Sequence, residues 1–166
     1  MKIKEKEFYI MDVILITITL MVLVIIGGYA TPLVIAPADK LETTNNSILF
    51  SFEKANAILI DDNLNFTSPE KIYVKDNLVI NLMPGIYYWK IEGILKESEV
   101  RELTIKSEVN LKLKEAGEKI EVVNAGNTIL NVDIYDKKIY TGSVVLGIGE
   151  AENVSGTKFI GKEDEN

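Results

Sequence analysis

The sequence predicts an all-β protein carried behind one N-terminal transmembrane helix, and three observations predict it. Val13 to Tyr29 is an uncharged, proline-free run whose polar side chains are Thr17, Thr19 and the Tyr29 phenol. Beyond it, apolar residues recur in short alternating stretches broken by turn residues, with no helix-length 3.6 period. The chain also has no Cys and no His, so neither disulfides nor the usual zinc, haem or iron–sulfur ligands hold it together.

The same absence excludes Ser–His–Asp and Cys–His nucleophile machinery. Charge narrows the field further. Lys2, Lys4 and Lys6 balance Glu5, Glu7 and Asp12 in residues 1–31, which leaves 15 basic and 22 acidic residues in the remainder. Phosphate binding rests on Lys and Arg neutralising backbone charge, so an acidic soluble part argues against a nucleic-acid partner.

A helix rises about 1.5 Å per residue, and about 20 residues cross a hydrocarbon core. Residues 13–30 supply 18 of them, with Val13, Leu20 and Ile26 on an all-round apolar surface and Phe8 to Met11 extending the run beyond Asp12. A soluble core helix would show a polar face; this one has none. The lysines of residues 1–12 precede the span, whereas the twenty residues after it offer one, Lys40. The positive-inside rule then puts residues 1–12 in the cytoplasm and the rest outside, with Tyr9 and Tyr29 near the two interfaces. The expected localisation is a single-pass cell-membrane protein whose first partner is the lipid bilayer.

Two rivals share this stretch. Gly28-Tyr29-Ala30 places small residues where a signal peptidase would cut before Thr31. Phe8 followed by Asp12 and an apolar run resembles the opening of a mature type IV pilin helix. Against that, Glu7 stands where the leader peptidase expects Gly, and Gly27-Gly28 with Pro32 predicts an early helix end.

Residues 31–107 read as an exit linker followed by the main β domain. Leu33 to Ala36 supplies a first edge strand. Ile48, Phe50 and Phe52 alternate with Leu49, Ser51 and Glu53, and Ala57 to Ile60 runs into the turn residues Asp61-Asp62-Asn63. Lys71 to Val74 and Leu78 to Leu82 follow. Pro84-Gly85 then turns the chain into a stretch dense in aromatic and β-branched residues. Period two puts Tyr87, Trp89 and Ile91 on one face, the expected core, and Ile86, Tyr88 and Lys90 on the other.

Leu82-x-Pro84-Gly85-x-Tyr87-x-Trp89-x-Ile91 resembles the E–F corner and F strand of fibronectin type III-like domains, within the immunoglobulin-like sandwich class. Pro32 to Pro37 is similar to strand A, and Ile48-x-Phe50-x-Phe52 to strand B. Ile58-x-Ile60-Asp61 is similar to strand C, and Ser98-x-Val100-x-x-Leu103-x-Ile105 to strand G. Phe52 stands where that family usually carries its core Trp. The resemblance covers about residues 32–107 and implies a seven-strand sandwich, a corner tyrosine bonded to upstream backbone, and use as a spacer or binding module.

Residues 108–160 continue in β as a second small domain or an extension. Val109, Leu111 and Leu113 alternate, and Ile120–Val123 and Ile129–Tyr135 flank Asn124-Ala125-Gly126-Asn127, which reads as a hairpin-like turn. Ser143 to Ile148 is a further strand. The charged residues 161–166 read as a disordered tail.

Three constellations remain. Asp61-x-Asn63-x-Asn65 opens like a calcium loop, but Phe66 replaces the required Gly and Ile72 the bidentate Glu. Glu97, Glu99 and Glu102 beside Lys96 and Arg101 read as a solvated strand face; a glycosidase would need a carboxylate pair across a cleft. Asn45, Asn65 and Asn153 open N-x-Ser/Thr sequons and are candidate glycan acceptors in expected loops. The sequence therefore predicts a non-enzymatic, cofactor-free surface module that binds a protein or glycan of the cell envelope. The alternatives are a pilin-like filament subunit and a carboxylate-dependent enzyme acting on envelope sugars.

Overall fold

The computed structural model describes residues 2–29 and 31–164. Helix α1 (Lys2–Tyr29) is followed by a mostly β chain arranged in several sheets. Strands β1 (Leu33–Ala36), β3 (Ser47–Glu53) and β6 (Leu78–Asn81) form one antiparallel sheet in the order β1-β3-β6. A five-stranded sheet runs β2-β8-β7-β4-β5, from β2 (Leu41–Thr43), β8 (Arg101–Ile105), β7 (Gly85–Gly93), β4 (Ala55–Asp61) and β5 (Glu70–Tyr73). Its neighbours are antiparallel except β2 and β8, which run parallel.

Period-two alternation explains how these two sheets share a core. In β3, Ile48, Phe50 and Phe52 point inward while Ser47, Leu49 and Glu53 face solvent. Opposite them, β4 contributes Ile58 and Ile60, β7 contributes Trp89 and Ile91, and β8 contributes Leu103 and Ile105 to the same buried cluster. The rings of Phe50 and Trp89 meet edge to face, with centroids 4.9 Å apart and planes at 90°, a geometry that aromatic quadrupoles favour. Tyr87 is half-buried at the rim of this cluster, and its hydroxyl donates to the Met83 carbonyl at 2.9 Å. These two sheets form one unit.

A second unit has its own core. Strands β9 (Leu111–Ala116), β10 (Lys119–Asn124) and β13 (Ala151–Val154) pair in the order β13-β10-β9. Strands β11 (Leu130–Asp136), β12 (Ile139–Leu146) and β14 (Lys158–Glu163) pair in the order β12-β11-β14. Val122, Leu130, Val132, Leu146 and Val154 are buried between the two sheets.

Four sequence expectations need correction. Residues 124–127 do not close a hairpin, because β10 and β11 belong to different sheets and the segment crosses between them. Residues 161–163 are not a disordered tail but the end of β14, paired with residues 130–132 of β11. The Lys162 ammonium reaches Asp133 at 2.5 Å, and Gly161 lies close against Leu111; charge density hid that pairing. Residues 165–166 lie outside the described residues. Helix α1 starts at Lys2 rather than Val13 and continues through Gly27 and Gly28 to Tyr29. Its intrahelical bonds need no polar surroundings, so the lysine-bearing segment extends the same rod. The exit linker also holds a strand, β2, whose three residues are too few to show a period.

The two units are joined by Asn127 where the sequence suggested only a turn. Asn127 is 8% exposed. Its carboxamide nitrogen donates to the Thr44 and Lys106 carbonyls at 2.6 and 2.8 Å, and its carboxamide oxygen accepts the Glu108 N–H at 2.6 Å. Its own carbonyl accepts from the Asn46 carboxamide at 2.9 Å. Thr44, Asn46 and Lys106 belong to the first unit and Asn127 to the second. The neighbouring Gly126 is required by space, since a Cβ there would stand 2.1 Å from the Glu108 carbonyl oxygen. Asn124, fully buried, completes the crossing by donating to the Thr128 and Leu146 carbonyls.

Three substitutions test these packing claims. Trp89→Ala should cost about 3–5 kcal/mol in urea unfolding, the range for truncating a large buried aromatic. Asn127→Ala strands two carbonyls and one N–H and should cost about 2–4 kcal/mol. Asn127→Asp should be at least as damaging at neutral pH, because a carboxylate cannot donate to two carbonyls. Limited proteolysis should then cut first near residues 106–110; an unchanged digestion pattern in both Asn127 variants would remove the junction from its role.

Candidate functional site

Helix α1 is the feature with the clearest physical consequence. It contains one stretch long and apolar enough to cross a membrane, Phe8–Ile25, and none of that stretch is buried against the β units. Val13 and Leu20 are exposed on it; Ile26 lies in the same helix, with its side chain outside the described residues. In hydrocarbon an unpaired polar group costs several kcal/mol. The two threonines avoid that cost, for the Thr17 and Thr19 hydroxyls each donate to the carbonyl four residues earlier at 2.8 Å. An anchor and a signal sequence share these properties, and the candidate cleavage residue Ala30 lies outside the described residues.

The β units place the predicted site residues apart from one another. Trp89 and Ile91 are fully buried and Tyr87 sits at the core rim, so these three serve packing. Asn45, Asn65 and Asn153 are all exposed. Asn45 precedes β3 and accepts the Ser47 N–H on its side-chain oxygen at 3.0 Å. Asn65 sits in the β4–β5 loop. Asn153 is not in a loop as expected; it lies within β13, opposite Glu121, on the outer strand of its sheet.

Of the carboxylates in this region, Glu92 and Glu97 are paired. Lys71 holds Glu92 at 2.7 Å and Lys90 holds Glu97 at 2.6 Å, ties across one sheet rather than a pair facing a cleft. Arg101 turns its guanidinium to the Pro37 carbonyl at 3.0 Å, 5.7 Å from the Trp89 ring centre. Among the described residues, no group of three or more Asp and Glu side chains is placed to hold a metal ion. In the loop whose opening resembles a calcium loop, Asn63 bonds locally, its side-chain oxygen accepting the Asn65 N–H at 2.9 Å.

Asp61 is the buried acid of the set. It lines an open groove of about 340 Å³ with Asp62, Glu70 and Tyr87. Its two carboxylate oxygens accept the Ser68 N–H at 2.9 Å and the Asn63 N–H at 3.0 Å. These bonds, Ser68 first, hold its carboxyl below the ordinary aspartate range. A general acid needs the opposite shift. Burial meanwhile raises the Tyr87 phenol, with the Asp62 charge adding to it. The groove therefore works as a loop staple.

Because the folded-state value is depressed, Asp61 stabilises the fold above its unfolded value, about 3.9, and that contribution disappears as pH falls through the lower folded value. Asp61→Asn should destabilise the protein in urea titrations at pH 7, and the gap from wild type should narrow below about pH 4. A gap independent of pH would reject the charged staple.

Comparison with known proteins adds no family to this picture: no family model matches the chain, and no curated protein matches it.

Proposed function

We propose that this protein is a single-pass, membrane-anchored surface module with its N-terminus in the cytoplasm and both β units outside. It acts without catalysis, as a spacer or interaction module toward a protein or glycan of the cell envelope. The observation that carries the reading is α1: an unburied apolar helix whose two threonine hydroxyls are internally bonded, joined within a few residues to an acidic β chain. Lys2, Lys4 and Lys6 on one side of the span support this orientation.

Within this reading the first unit is an immunoglobulin-like sandwich of fibronectin type III-like kind. Assigning β1, β3, β4, β7 and β8 to strands A, B, C, F and G supports it, because A and B then share one sheet while C, F and G share the other. The Tyr87 hydroxyl on Met83 supports it too, being the upstream backbone bond of a tyrosine corner. The fold names no ligand.

A filament subunit is the second reading. The unbroken course of α1 through Gly27 and Gly28 favours it, since a helix meant for packing into a polymer should not stop early. Glu7 at the processing position opposes it.

Protease added outside intact cells should digest the β units, and carbonate washing should leave the protein in the membrane fraction. Full protection refutes the orientation. Release on washing, with a mature N-terminus at Thr31, refutes the permanent anchor, and a mature N-terminus at Phe8 moves the protein to the filament reading.

A further inference from the structure

We infer that the Gly93–Lys96 turn is a second membrane contact, which lays the base of the first β unit on the outer bilayer surface beside α1. The proposal rests on α1 being inserted in that bilayer, and its argument is one of distance and surface chemistry.

Distance comes first. Tyr29 ends α1, and Pro32 is three residues on. Three peptide units span at most about 11 Å even when fully extended. Pro32 is buried, and its Cδ is 3.0 Å from where a Cβ on Gly93 would stand. The Gly93 N–H donates to the Lys96 carbonyl at 2.8 Å, which closes a tight turn with Ile94 and Leu95 at its tip. Whatever path residues 30 and 31 take, this tip stays within about 11 Å of the helix end plus its own width. The headgroup layer is itself several ångströms deep.

Surface chemistry comes second. Ile94 is 74% exposed and Leu95 63%, two adjacent aliphatic side chains projecting from the turn. Tyr73, 78% exposed, stands at the same end of the sheet, because Ala57 pairs with both Tyr73 and Glu92, one residue from Gly93. Exposed Lys75 and Lys96 flank the group, each beside an exposed carboxylate, Asp76 and Glu97; Glu97 is held by Lys90, and Glu92 at that end by Lys71. Aliphatic tips in the acyl boundary, a tyrosine at headgroup level and lysines toward anionic headgroups make an interfacial footprint. The opposite end of the unit, where the junction at Asn127 lies, faces away from this surface, since β3 runs from Ser47 there to Glu53 beside Leu33.

The chain has no Cys, so single cysteines report single positions. The full-length protein carrying Ile94→Cys, Leu64→Cys or Leu20→Cys, each with an environment-sensitive fluorophore, is reconstituted into phosphatidylcholine–phosphatidylglycerol vesicles. Quenching is read with nitroxide-labelled lipid and with aqueous iodide. The expected result is loss of Ile94 emission to the shallow nitroxide lipid with protection from iodide. Leu64, in the loop at the far end of β4, should be quenched by iodide only, and Leu20 by deep nitroxide lipid only. If Leu20 behaves so but Ile94 is open to iodide and blind to lipid, the contact is overturned and the anchor stands. Ile94 protected from iodide yet blind to lipid overturns it in favour of a protein neighbour. A Leu20 label insensitive to lipid removes the anchor and the proposal together.

Discussion

The course of the chain beyond residue 106 depends on the carboxamide of Asn127. Two cores of unequal size lie on either side of it, and each is built from its own pair of sheets. Between them the chain passes once through residues 106–110, a stretch outside any strand. Asn127, on the far side of that passage, gathers backbone from the first unit and from the passage itself, taking two carbonyls and one N–H on a single side chain. Among the twenty side chains, an amide alone offers two donors and an acceptor in one plane without charge, so Asn or Gln is demanded, and the short reach selects Asn.

This constraint propagates to the neighbours. Glu108 donates its N–H to the Asn127 side-chain oxygen and receives the Asn127 backbone N–H on its carbonyl at 3.1 Å, so the two residues bond in both directions. Ala125 donates to the Asn110 carbonyl at 2.7 Å. The incoming and crossing segments therefore run side by side, and Gly126 is where they press closest. A chain so occupied cannot also fold residues 124–127 into a hairpin, which is why β11 starts in the other sheet.

The sequence made the first unit more legible than the second, and the reason is physical. In β3 and β7 the inward positions hold Ile, Phe and Trp, so burial and hydrophobicity coincide and the period of two is plain. The Tyr87 corner was readable for the same reason, as a turn followed by large side chains. In β9 the exposed positions run almost continuously, and in β14 a glycine and charged residues occupy strand positions. Pairing with β11 there comes from backbone bonds and the Lys162–Asp133 contact, which leave no periodic trace. The sequence also could not show that Asn124 and Asn127 are buried. An Asn-Ala-Gly-Asn segment has the composition of a turn whether its amides face water or bind distant backbone, and only the long-range partners Thr44 and Lys106 distinguish the two.

The junction also sets how the distal unit responds to its surroundings. Ion pairs in this protein, such as Lys71–Glu92 and Lys90–Glu97, are open to solvent on at least one partner and weaken as salt rises. Asn127 uses a neutral amide on backbone groups that are themselves neutral, so neither salt nor acid alters its bonds. The first unit's strands place that junction at the end remote from α1, about 20 Å up a seven-residue strand. The uncharged bonds at that joint do not weaken under the changes of pH and ionic strength that loosen the surface pairs. In the spacer role proposed above, which needs the far end held at a constant distance and direction, neutrality at the joint matters more than the strength of any single contact within it.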